Sequence, residues 1–147
     1  MLHKNSVLVS VALTAVATVI ALGQVARPAP TDAEAKIHRV FEIRTYTTEP
    51  GKLDALHARF RDHTMKLFEK HGMANIGYWT PADEPRAKDT LIYIIAHASR
   101  ESAQKNWEGF LNDPQWAKVR DESEAGGKIV SKVESVYVNP TDFSPIH

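Results

Sequence analysis

The sequence predicts an α+β domain, one four-stranded antiparallel sheet with helices on one face. Three observations carry this expectation. The hydrophobic pattern switches period along the chain in the order β-α-β-β-α-α-β, which is the split βαβ, or ferredoxin-like, plan. The stretch Leu91-Ile92-Tyr93-Ile94-Ile95-Ala96 is apolar on both faces, as a central strand is. Each helix gathers its apolar residues on one face, enough to cover one side of the sheet and leave the other open.

The first strand, 39–47, contains Val40-Phe41-Glu42-Ile43-Arg44-Thr45-Tyr46. Side chains alternate across a strand, so Phe41 and Ile43 point one way and Val40, Glu42, Arg44 and Tyr46 the other. Phe41 and Ile43 are the better helix-facing set, which assigns Glu42, Arg44 and Tyr46 to the open face. Glu49-Pro50-Gly51 breaks the strand, and a continuous helix is expected over 52–71. Its apolar face holds Leu53, Leu56, Phe60, Thr64, Leu67 and Phe68, with Arg59, Arg61, Asp62, Lys66, Glu69 and Lys70 mostly outside it. Gly72 is the expected C-terminal stop. Neither His57, His63 nor His71 forms a four-residue pair that would put two imidazoles on one metal.

A second strand over 73–80 alternates Ile76 and Tyr78 with Gly77 and Trp79. The stretch 81–88, with two prolines and four charged residues, is a hairpin loop. The third strand, 89–98, carries His97 near its end. Ser99 is the expected N-cap of a helix that places Ala103, Trp107, Phe110 and Leu111 on one face. Asp113 is the N-cap of a second short helix with Pro114 at its first position, turning Trp116 and Val119 inward. The last strand, 129–138, has Val130, Val136 and Val138 on one face and Ile129, Val133 and Tyr137 on the other. The tail, with Phe143, Pro145 and Ile146, is expected to pack as a small clamp.

Ahead of this domain lies a targeting pattern. Lys4 precedes an uncharged run over 7–22, followed by Ala21 and Gly23 at the two selective positions of a cleavage site. The expected organisation is a signal peptide at 1–23, a flexible linker at 24–38 containing Pro28 and Pro30, and one domain at 39–147. The product is then secreted or periplasmic; the alternative is an uncleaved leader that anchors the chain to a membrane.

The composition narrows the function classes. Eighteen basic residues balance eighteen acidic ones in 147, which argues against a nucleic-acid partner, since that needs a basic excess. The absence of cysteine excludes disulfides, thiol catalysis and cysteine-ligated metals. No Walker loop, dinucleotide fingerprint, nucleophile elbow or zinc helix motif occurs, so no cofactor or metal is expected.

The strand Phe41-Glu42-Ile43-Arg44-Thr45-Tyr46 with its Pro50-Gly51-Lys52-Leu53 continuation, the His71-Gly72 stop, Trp79, and the run from Trp107 through Phe110 and Leu111 to Asp113-Pro114-Gln115-Trp116 resemble the NIPSNAP family. The resemblance spans about 39–138 and implies a dimeric α+β barrel of ferredoxin-like protomers. The secretory leader departs from the mitochondrial members, so their trafficking roles do not carry over. The expected function is an exported homodimer that binds a small apolar ligand or serves as an accessory protein. The alternative, by fold analogy, is a small cofactor-free oxygenase or haem-handling enzyme. No catalytic residue is assigned. The candidate pocket or interface residues are Glu42, Arg44, Tyr46, Trp79 and His97, with Glu42 and Arg44 expected to pair inside a dimer interface on the open face.

Overall fold

The computed structural model describes residues 39–147; the leader, its cleavage site and the linker all lie outside the described residues. In chain order the elements are β1 (Val40–Thr48), α1 (Leu53–Arg59), a π-helical turn (Phe60–Thr64), α2 (Met65–Lys70), β2 (Ala74–Trp79), β3 (Thr90–His97), α3 (Arg100–Leu111), α4 (Pro114–Ser123) and β4 (Val130–Val138). The four strands form one sheet in the order β2-β3-β1-β4, with every neighbouring pair antiparallel. The expected plan holds, and the two-sided apolar strand β3 sits inside the sheet.

The local signals work as chemistry predicts. Ser99 caps α3 by accepting from the backbone N–H of Ser102 at 3.0 Å. Asp113 caps α4 by accepting from Gln115 N at 2.9 Å, with Pro114 at the first helical position where no N–H is needed. Gly72 ends α2 at φ 76°, a left-handed conformation that a Cβ disfavours.

The core lies between the sheet and the helices. Leu56, Phe60, Leu67 and Phe68 from the first helical stretch meet Leu91, Tyr93 and Ile95 from β3, with Phe110 and Ile129 closing the cluster. The rings meet mostly edge to face: Phe60 lies 5.1 Å from Tyr93 and 6.0 Å from Phe68, and Phe68 lies 5.0 Å from Phe110.

Three expectations are corrected here. The first concerns the faces of β1. Glu42, Arg44 and Tyr46 point toward the helices, and Phe41 and Ile43 toward the open side. Tyr46 packs edge-on against Phe60 at 5.9 Å and Tyr93 at 5.3 Å. Arg44 is the register partner of Tyr93, whereas Phe41 lines an open-face groove with Ile76, Ile94 and Val138. A charged residue can face the helices when its hydrogen bonds are made there, and Glu42 makes them.

The second correction is the helix expected over 52–71, which is interrupted by the π-helical turn. The Met65 N–H bonds to the Phe60 carbonyl five residues back, the mark of a π turn, and Thr64 Oγ1 donates to the Arg59 carbonyl at 3.1 Å. Arg59, expected on the solvent side, is 5% exposed: it lies in α1 just ahead of the turn, three residues after Leu56 and on the same buried face.

The third correction concerns two strands with register shifts, between Thr47 and Thr48 opposite β4 and between Asn75 and Gly77 opposite β3. A bulge inserts one residue and inverts the alternation beyond it. Val130 therefore joins the helix-side core rather than sharing a face with Val136 and Val138, and Ile76 parts from Tyr78. In the tail, Ile146 lines the groove beside Phe41, but Phe143 is 83% exposed and clamps nothing.

Candidate functional site

Four of the five residues singled out in the sequence converge, on the helix side of the sheet. Glu42 stands at the centre, 1% exposed. One carboxylate oxygen, Oε1, accepts from Arg44 Nη1 at 2.5 Å and from Ser135 Oγ at 2.5 Å. The other, Oε2, accepts from Trp107 Nε1 at 2.6 Å and pairs with His97 Nε2 at 3.2 Å. Asn106 Nδ2 lies 3.2 Å from His97 Nδ1 and also donates to the Gly72 carbonyl. An amide N–H facing Nδ1 makes that nitrogen the acceptor, so the proton sits on Nε2 and points at Glu42. Arg44 Nη2 donates to Tyr46 Oη at 3.3 Å, and its guanidinium lies over the Trp107 ring at 4.3 Å. Trp79 is elsewhere: it pairs with Ile92 on the open face, is 52% exposed and folds back over Gly77.

The electrostatics follow from those bonds. Burial pushes the Glu42 carboxyl up, but the hydrogen bonds from His97, Ser135, Trp107 and Arg44 outweigh it and hold the group well below the usual carboxylate range. Glu42 is thus ionised at neutral pH with both oxygens engaged. Such a carboxylate is a poor general base, because a base needs a free lone pair and a pKa near the working pH. Burial, then the neighbouring Tyr46, keeps the Tyr93 phenol protonated far above its ordinary range. Tyr93 is 0% exposed and its hydroxyl has no hydrogen-bond partner.

Tyr46 connects this network to a cavity. A space of 160 Å³ lies between the sheet and the helices, walled by Tyr46, Phe60, Phe68, Phe110, Trp116, Val130 and Val133. Thr64, Arg59, Arg120 and Glu124 complete its lining. Arg59 Nη1 donates to Glu124 Oε1 at 3.0 Å, while its Nε, buried, has no partner. The π-helical turn supplies Phe60 and Thr64 to the wall, and Arg59 directly precedes it. Sequence reasoning missed this cavity. Mid-helix Thr64 was its one local trace, and spacing alone cannot reveal a π turn.

Other polar clusters are structural. His71 Nε2 and Lys70 Nζ each lie 2.7 Å from Asp113 Oδ2, tying the end of α2 to the cap of α4. His57 Nε2 lies 3.2 Å from Thr80 Oγ1, tying α1 to the end of β2. Among the described residues, no group of three or more His, Asp or Glu side chains could hold a metal ion.

A family model described as NIPSNAP matches residues 41–145. A NIPSNAP family protein of unknown function from Agrobacterium tumefaciens is similar in structure at 22% identity and a TM-score of 0.64, over 76% of this chain and 96% of that one. An uncharacterized NIPSNAP-like domain protein from Burkholderia xenovorans is similar at 16% identity and a TM-score of 0.64, over 74% of this chain and 90% of that one. SnoaB, a cofactor-independent oxygenase from Streptomyces nogalater, shares the fold at 11% identity and a TM-score of 0.50, over 74% of this chain and 98% of that one. No curated protein matches the sequence.

Proposed function

This chain belongs to the NIPSNAP family, and from that premise we propose that it is an exported, homodimeric binding protein for a small apolar ligand, held between the sheet and the helices. The observation that carries this reading is the 160 Å³ cavity walled by aromatic and aliphatic side chains. An apolar cavity of about 150 Å³ stays dry and takes up benzene-sized molecules. Ligand pockets combine such walls with a few placed polar groups, here Tyr46, Arg59 and Glu124. The Glu42 network contributes rigidity rather than chemistry: it fixes β1 to α3 and holds Arg44 and Tyr46 in place. The likeness to the oxygenase is one of fold and brings no reaction with it.

The test is thermal unfolding with toluene as the probe. A ligand that binds only the folded state raises its stability by RT ln(1 + [L]/Kd), about 1.4 kcal/mol at ten times Kd. Toluene should raise the melting temperature in a saturable way. An unchanged melting temperature up to the solubility limit of toluene rejects the reading.

Two features support the assembly and the address. The open sheet face carries Ile43, Ile92, Ile94 and the exposed Val136 and Trp79, an apolar surface that a second copy of the chain would cover symmetrically. The uncharged run with Ala21 and Gly23 supports export; N-terminal sequencing of the exported protein should begin near Gln24, and a product retaining Met1 in the membrane fraction would favour the anchor.

A further inference from the structure

We propose that the cavity selects a small aromatic monoanion, a single ring bearing one carboxylate, with the ring among Phe60, Phe110 and Trp116 and the carboxylate on Arg59. This rests on the cavity being the ligand site, as proposed above, and adds the class of ligand.

Three observations converge on Arg59. It is 5% exposed and lines the cavity, yet its Nε–H has no acceptor. An unpaired donor on a buried residue that lines a cavity can take its acceptor from a ligand held there. Arg120 is paired with Asp121 at 3.0 Å, so the cation left to meet a ligand is Arg59, which Glu124 engages only through Nη1. Finally, the guanidinium is fixed in place. Its carbon lies 5.4 Å from the Trp116 ring centroid, and the π-helical turn that follows it is pinned by the bond from Thr64 to the Arg59 carbonyl. A planar, oriented guanidinium matches a carboxylate in a way that a flexible ammonium does not. π turns of this kind are frequent at functional sites.

The volume limits the ring. A cavity of 160 Å³ takes one benzene-sized ring and excludes a fused bicycle. Trp116 and Phe110, with ring centroids 4.5 Å apart, give the ring a flat wall. Glu124, 28% exposed at its side chain, holds Arg59 Nη1 at 3.0 Å in the empty cavity and competes with the ligand for it.

Benzoate and nitrobenzene share shape and size and differ in charge, so isothermal titration of the full chain with both separates the two proposals. Benzoate should bind about tenfold tighter than nitrobenzene, the effect of a charge-assisted hydrogen bond. Glu124→Gln removes the competing carboxylate from a half-exposed position. It should tighten benzoate several-fold and leave nitrobenzene unchanged, while added salt weakens benzoate alone. Equal affinities for the two probes, or a benzoate affinity indifferent to Glu124→Gln, would overturn the anion preference and leave the cavity standing. Binding of neither probe would remove the cavity as a ligand site, and this inference with it.

Discussion

Glu42→Ala tests the polar centre of the protomer. The substitution removes the acceptor of Arg44 Nη1, Ser135 Oγ, Trp107 Nε1 and His97 Nε2 in one step. The Arg44 guanidinium, with a side chain 15% exposed, is left as an uncompensated charge beside Trp107. Breaking a buried pair by removing one partner costs about 3–5 kcal/mol. The stranded indole N–H alone would cost about 1–3 kcal/mol, but the two effects share one site and do not simply add. The expected loss is therefore about 3–5 kcal/mol, which for a domain of about 100 residues is roughly 12–20 °C in melting temperature. Urea unfolding and calorimetry measure it. Glu42→Met combined with Arg44→Met should be less destabilised than Glu42→Ala, because no charge is left unpaired. A loss below about 1 kcal/mol for Glu42→Ala is the value of an exposed ion pair, and it would refute the placement of Glu42 under the helices.

Further outcomes follow from the same structure. Glu42 is held well below its ordinary value of 4.5, so its contribution to stability is complete above about pH 4.5 and is lost as pH falls toward the folded-state value. Glu42→Gln should flatten the acid side of the stability profile relative to wild type, and an unchanged slope below pH 4.5 would show that the carboxyl titrates normally. Trp116→Ala should destabilise by about 2–3 kcal/mol, less than the ~3–5 of a fully buried ring, because Trp116 packs on Phe110 and Arg59 yet is only partly buried; thermal stability equal to wild type would place the ring outside the core. Ile43→Glu, on the open face, should shift sedimentation equilibrium toward monomer far more than Lys66→Ala on the outer helix surface, and a wild type already monomeric at micromolar concentration would end the dimer proposal.

The sequence determines the skeleton of this fold locally, and so the skeleton was legible. The two-sided apolar strand β3, the caps at Ser99 and Asp113, the proline after Asp113 and the stop at Gly72 each act within a few residues of themselves. The choice of faces on β1 is not local. Alternation says that Glu42, Arg44 and Tyr46 share a side, but both sides of β1 have a claim on the core. The decision rests with Trp107, Ser135 and His97, which lie between 55 and 93 residues away and supply the donors that make burial of a carboxylate tolerable. Bulges and the π turn are invisible for a related reason. Each inserts one residue into a period, and the pattern on either side remains a valid strand or helix. Their consequences are large here, since the bulge opposite β4 brings Val130 inward and the π turn presents Phe60 and Thr64 to the interior. Together these three residues line the cavity that the linear pattern did not disclose.

The most direct test of ligand binding between sheet and helices uses the three indole N–H resonances of the chain. Trp116 lines the cavity, Trp107 donates to Glu42 in the adjoining network, and Trp79 lies on the open face. A titration of isotopically labelled protein with toluene, followed by proton–nitrogen correlation spectra, reads all three at once. Binding in the cavity moves the Trp116 resonance most, moves Trp107 less and leaves Trp79 in place. A saturable shift of Trp79 with Trp116 unmoved would put the ligand on the open face and contradict the proposed site.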